Sequence, residues 1–148
     1  MPVKSYIKTA VRVHDRRKAV LARAEKLIEE AIHKTAFHVA TNAARSMTHD
    51  STNNPSKPGT PPGVLTGTLR SSIDVESFRD GTGTFVARVG TNVEYGRTHE
   101  LGDPSRNIPA RPFLRPAFHK EGLREGGYDR NGRFGKRFAK AINRALRG

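Results

Sequence analysis

The chain has 148 residues, 34% of them apolar, no cysteine, no tryptophan and a formal net charge of +13. A chain of this length most simply encodes one domain with a modest core, and the absence of cysteine excludes disulfides and thiolate metal sites. No apolar run reaches the length of a signal peptide or a membrane span, so a soluble protein made in a cytoplasm, with no membrane partner, is expected.

The first predicted element is a long helix within residues 1–47. Val20, Ala24, Leu27, Ile28, Ala31, Val39, Ala43 and Met47 recur at three- and four-residue spacing. No Gly or Pro interrupts residues 3–54, and Glu30 and Lys34 are placed for an i,i+4 ion pair. Such a helix runs about 30 residues, roughly 45 Å. That is long for so small a chain, so it is expected to project or to break once near "HDRRK", 14–18.

Residues 48–66 form a long loop, whose "THDSTNNPSKPGTPPG" (48–63) has almost nothing apolar to anchor it. It is expected to be mobile, or ordered only against a partner. Residues 67–120 make an α+β centre. A short helical turn in "LTGTLRSSI" precedes two strands, "SIDVESF" and "TFVARVG", joined by "RDGTG". Ile73 and Val75 share one face of the first strand, and Phe85, Ala87 and Val89 one face of the second. "NVEYGRTHELG" (92–102) is a short helix with Asn92 as cap and Gly102 as stop.

"RNIPARPFLRPAF" (106–118) places Arg111 and Arg115 directly before prolines, which biases both toward extended backbone. Pro109, Pro112 and Pro116 remove three donors, so the stretch reads as a stiff extended arm rather than a strand. It either pins Ile108, Phe113, Leu114 and Phe118 to the core or docks a partner through its arginines. Residues 121–148 begin with a glycine-rich hinge (121–132) and end in a helix. There Phe134, Phe138, Ile142 and Leu146 form one stripe. Arg133, Lys136, Arg137, Lys140, Arg144 and Arg147 form the basic face opposite. The economical architecture is α+β: a long N-terminal helix packed on a small antiparallel β-sheet, with short helices and a basic amphipathic C-terminal helix.

Charge is uneven: ten basic against five acidic residues in 1–50, five against five in 51–100, and twelve against four in 101–148. A neutral centre between basic flanks suits nucleic acid, anionic lipid or an acidic protein, and the final helix could meet any of these or dock its stripe on the core.

Catalytic and metal chemistry find no support. "HE" at 99–100 lacks a second histidine one turn on, since that position is Asp103. The six histidines lack ligand spacing, and Glu94 and Glu100 read as a solvated or ion-paired face beside Arg97. No Ser or Thr has a base and an orienting group in reach. No enzyme, cofactor or metal is expected.

Three segments read together. "PPGVLTGTLRSSI" (61–73) resembles the Thr-Gly-x-Leu-Arg-x-Ser-Ile signature of tailed-bacteriophage neck and tail-completion proteins. "VGTNVEYGRTHELG" (89–102) resembles that family's Gly-Thr, Val-Glu-Tyr and Glu-x-Gly run, and "ARPFLRPAF" (110–118) its Arg-Pro-Phe-Leu-Arg-Pro-Ala arm. The matching positions are Thr66, Gly67, Leu69, Arg70, Ser72, Ile73, Gly90, Glu94, Tyr95, Glu100, Gly102, Arg111, Pro112, Phe113, Leu114, Pro116 and Ala117. Leu65, Gly96 and Asp103 depart from the common Asp, Ala and Thr.

The resemblance implies fold and assembly roles for these residues, with none catalytic, and makes the arm a clip that buries Phe113 and Leu114. It implies a structural virion protein at the head–tail junction, made in the host bacterial cytoplasm. Copies would form a homo-oligomeric ring around the DNA path, a hexamer favoured over a dodecamer. The implied neighbours are head-closure or connector proteins and tail-terminator or tail-tube proteins, with genomic DNA in the lumen as a further contact. A basic DNA-binding architectural protein is the main alternative.

Overall fold

The computed structural model describes residues 17–48 and 55–147. Helix α1 spans Arg17–Ser46, the 30 residues its periodicity suggests. The break expected at 14–18 falls mostly outside the described residues. The buried residues of α1 begin only at its midpoint: Ala31, Thr35, Ala36, Val39, Ala40 and Ala43. The Glu30–Lys34 pair does not form; Glu29, one residue earlier, pairs instead with Arg79 of the sheet.

Helix α2 (Thr68–Ser71) leads into β1 (Ile73–Arg79) and β2 (Phe85–Thr91). They pair antiparallel with Val75 opposite Val89 and Ser77 opposite Ala87. The turn holds its shape because Asp80 accepts hydrogen bonds from the backbone of Thr82 and Thr84, while Gly83 adopts a positive φ of 83°. The sheet lies on α1, where the His33 ring hydrogen-bonds Ser77 Oγ at 2.9 Å.

Helix α3 (Tyr95–Leu101) starts later than expected, and Asn92 does not cap it. Thr91 Oγ1 accepts the Val93 N–H at 3.0 Å, forming a turn that delays the first helical residue. Gly102 ends the helix as predicted, with φ 75°. Gly96 has no room for the alanine common in the resembled family: an added Cβ would lie 2.5 Å from Thr91 Cγ2.

A 3₁₀ turn (Pro104–Arg106) precedes the arm, whose second half is not extended: Leu114–Lys120 forms helix α4, with Arg115 and Pro116 in its first turn. A proline there forfeits no intrahelical bond, since first-turn N–H groups have no helical acceptor. Phe113, immediately before α4, is fully buried, as the clip reading requires. It joins Val39, Ala43, Met47, Leu69 and Ala117 in the core, with Leu114 half-buried beside them. Phe118 is 40% exposed and is not pinned.

The anticipated hinge is a two-stranded hairpin, β3 (Leu123–Arg124) with β4 (Gly127–Tyr128). Gly122 and Gly132, at its base, serve close packing, since Gly132 Cα lies 2.9 Å from where a Gly122 Cβ would stand, while Gly126 and Gly127 in the hairpin face open space. Helix α5 (Arg133–Arg147) closes the chain against α1. Its buried residues are small, Gly135, Ala141 and Ala145, facing an α1 rich in buried alanine; such surfaces let helices approach closely. Phe134 and Phe138 are half-buried and gather with Tyr128, ring centroids 4.9–5.9 Å apart, while Leu146 remains 68% exposed. The apolar stripe is therefore only partly docked on the core.

Candidate functional site

Two groups of sequence-selected residues come together in space. The first surrounds the start of α4. Glu100, on α3, turns its carboxylate to the first turn of α4: one oxygen accepts the N–H groups of Phe113 and Leu114 at 2.8 and 2.9 Å, the other that of Arg115 at 2.9 Å. The next residue, Pro116, has no N–H to satisfy. One carboxylate thus meets every orphan donor of that turn, in the region where the helix dipole favours negative charge. This corrects the reading of Glu100 as a solvated or ion-paired face. Glu94 is exposed and makes no side-chain cap.

Arg111 binds inward as well. Its Nε donates to the Ser56 carbonyl at 2.8 Å, and its guanidinium reaches the Pro109 carbonyl. The Gly59 N–H donates to the Ala110 carbonyl at 2.8 Å. Pro62 is fully buried. The described part of the long loop, 55–63, is thus tied to the arm of its own subunit, against the expectation that it lacks anchors. Residues 49–54 lie outside the described region.

Between loop and arm lies a cavity of about 610 Å³ walled by Met47, Val64, Leu65, Leu69, Tyr95 and Arg111, with Thr66, Gly67, Arg70, Ser56 and His99 also on its lining. Five of the motif positions, Thr66, Gly67, Leu69, Arg70 and Tyr95, join Arg111 here from three separate segments. Thr66 and Thr68 share a hydroxyl hydrogen bond of 2.8 Å. Gly67 supplies the positive φ of 79° that turns the chain into α2. The Tyr95 ring meets His99 edge-on at 5.8 Å. Burial, then the positive charge of Arg111, push the His99 imidazole below the usual histidine range. Its Nδ1 and the hydroxyl of Ser56 are buried with no partner among the described residues.

The remaining motif positions serve the scaffold. Ser72 Oγ lies 2.5 Å from Thr91 Oγ1 across the strand pair. Ile73 opens β1, and Gly90 pairs with Asp74. Gly102 sits so close to Ala110 that an added Cβ would lie 2.8 Å from its nitrogen. Pro112 and Leu114 flank the buried Phe113, and Ala117 is buried behind it.

The second group is the basic helix, and it divides. Arg137 does not face outward: its guanidinium donates to the Glu121 carboxylate at 2.6 Å and to Thr35 Oγ1 of α1 at 3.1 Å. Arg133 reaches the same carboxylate at 3.3 Å, and Asn42 of α1 donates to it at 3.0 Å. Glu121 is only 1% exposed. Burial pushes its carboxyl up, but Arg137, Arg133 and nearby His38 outweigh that and hold it below the usual range. Lys136, Lys140, Arg144 and Arg147 are exposed and have no ion-pair partner among the described residues. They recur at four-, four- and three-residue intervals, forming one row along α5.

Sequence reasoning missed Glu121, Ser56 and His99 as members of these clusters. Glu121 carried one faint signal, an acid set directly between the basic pair His119-Lys120 and Gly122; Ser56 and His99 carried none. Among the described residues no cluster of His, Cys, Asp and Glu could hold a metal, and no helix is long and apolar enough to cross a membrane.

Residues 13–102 match the model of a family described as "Bacteriophage HK97-gp10, putative tail-component". The matched span takes in α1, the β1–β2 sheet and α3, and ends before the arm and α5. No curated protein and no solved structure matches the chain.

Proposed function

The chain belongs to the bacteriophage HK97 gp10-like family of tail components, and from that premise we propose that it joins head to tail as a ring around the DNA path. The family match across most of the fold is the observation that carries this reading. The exposed row Lys136, Lys140, Arg144 and Arg147 supports it, because a neck protein meets neighbours above and below. Repeated around a ring, that row makes a continuous basic band suited to an acidic partner ring of the connector or tail. The same band could touch genomic DNA in the lumen. No catalytic step is assigned to the protein, and its place is the virion.

Removing the gene from the phage tests the reading. DNA-filled heads and finished but unattached tails are expected, with joining restored by adding the purified protein. Labelled protein should appear at the junction in electron micrographs. Normal tailed particles without the protein, or label along the tail shaft, would overturn the assignment. The basic band also admits a second reading, an architectural DNA-binding protein. That reading requires tight duplex binding by the isolated protein, with affinity falling steeply as salt rises.

A further inference from the structure

We infer that the 610 Å³ cavity between the loop and the arm is a socket for an acidic side chain, flanked by apolar residues, of a partner protein's peptide segment. The inference rests on the assembly role proposed above and names the contact through which one neighbour would be held.

Three observations converge on it. First, the lining contains two arginines, Arg70 and Arg111, and no Asp or Glu. Arg70 is exposed and has no ion-pair or hydrogen-bond partner among the described residues. Among the described residues the Arg111 guanidinium donates only to carbonyl oxygens, those of Ser56 and Pro109, which leaves its charge unneutralised. A carboxylate fits this charge pattern and the planar guanidinium geometry.

Second, two recessed polar atoms have no partner among the described residues: the hydroxyl of Ser56, a residue only 7% exposed, and Nδ1 of His99. Buried polar groups are almost always hydrogen-bonded, so a ligand reaching them gains bonds at little further desolvation cost.

Third, the walls are apolar, from Met47, Val64, Leu65 and Leu69 to the ring of Tyr95. Leu65 and Tyr95 stand 71% and 46% exposed at its edge. Large apolar groups at the edge of a concave site suit a peptide with apolar neighbours around its acid. A DNA duplex fits poorly, because phosphates on its broad convex surface would meet Arg70 at the rim and not reach Ser56.

The test uses the purified full chain and two capped tripeptides, acetyl-Leu-Glu-Val-amide and its Gln counterpart, followed by NMR of the His99 and Tyr95 rings. The Glu peptide should give saturable shifts with a Kd on the order of 1 mM, the range for a ligand with few anchoring groups. The Gln peptide should bind about tenfold more weakly, as should the Glu peptide to Arg70→Gln, since Arg70 makes no hydrogen bond or ion pair through its side chain among the described residues. Ser56→Ala, with an unchanged melting temperature, should weaken binding several-fold. Equal binding of the two peptides overturns the inference, as does no saturable shift up to roughly 20 mM. Tighter, Arg70-dependent binding of an oligothymidylate would overturn it in favour of a phosphate site. These readouts do not depend on where the protein sits in the virion, so the socket can fail while the head–tail assignment stands, and the reverse.

Discussion

Glu100 and Arg115 stand fifteen residues apart, yet a carboxylate oxygen of the first accepts the backbone N–H of the second at 2.9 Å. With the bonds to Phe113 and Leu114, this contact lets α4 begin where two Arg-Pro pairs would suggest extended chain. Removing the carboxylate should therefore unsettle the arm more than an ordinary surface change. Glu100→Ala is expected to cost about 2 kcal/mol, the upper range for a helix cap, and to lower the melting temperature by several degrees. Glu100→Gln keeps one acceptor oxygen and should lose about half as much. Equal melting temperatures for all three proteins would show that solvent caps α4 just as well.

Phe113 has no exposed surface and packs with Leu69, Val39 and Met47. Truncation to alanine is expected to destabilise by about 3–5 kcal/mol. Chemical denaturation measures it; a change under about 1 kcal/mol would mean the core closes over the gap.

The Glu121–Arg137 pair should give a pH signature. A carboxyl held below its unfolded value contributes stability above about pH 4.3, and that contribution is lost as pH falls through the lowered folded value. Stability should therefore be flat near neutrality and decline on the acid side. Arg137→Met leaves a buried carboxylate with Arg133 and Asn42 alone, and should cost about 3 kcal/mol at pH 7. Its deficit should shrink toward pH 4, as Glu121 takes up a proton. A deficit independent of pH would assign the loss to packing.

Asp103 offers a cleaner titration. Its carboxylate accepts from the Ser105 hydroxyl at 2.6 Å and from Arg106 Nε at 2.6 Å. These bonds, Ser105 first, bring its pKa to about 2. Carboxyl carbon NMR should find that midpoint, and Ser105→Ala should move it up toward 3.8.

The exposed row on α5 is the place to test assembly by charge reversal. Arg137 must be left out, since a Glu there would face Glu121 and attack the fold. Lys140→Glu with Arg144→Glu should leave the melting temperature within about 1 °C, because neither side chain has an ion-pair partner among the described residues. Head–tail joining should fail, and lysine substitutions on an acidic partner ring should restore it. Normal yields of infectious particles would show the row to be a solvated surface.

The long helix and the hairpin were legible in the sequence because each follows one short-range period. Val39, Ala43 and Met47 keep helical spacing, and Val75 and Val89 alternate with polar neighbours. Phe113 was legible through its setting between Arg-Pro pairs. What escaped was created by residues meeting across the fold. Nothing local to Glu100 announces that α4 will start against it, so Arg115 and Pro116 read as extended chain. Likewise Glu121 sits in a glycine-rich stretch that looked like a hinge, and only the approach of α1 and α5 makes it an anchor. Arg137 then read as surface charge, because a helical wheel shows which residues share a side but not what the neighbouring helix brings there. Asn92 does not cap α3 because Thr91, one residue earlier, holds the Val93 N–H in a turn, so the helix starts only after Glu94, which makes no side-chain cap.

The packing of α1 against α5 has a consequence for how the protein is made. The first described helix is covered by the last, and the bond from Arg137 to Thr35 spans 102 residues. On a ribosome adding about 5–20 residues per second, α1 emerges roughly 5–20 s before its cover does. During that interval its alanine-rich side is open to chaperones and to other nascent chains. A product cut short before Arg133 would leave Glu121 without either arginine and α1 without a lid. The cell's proteases would therefore meet truncated copies as unfinished proteins, and only full-length chains would survive to be built into a particle.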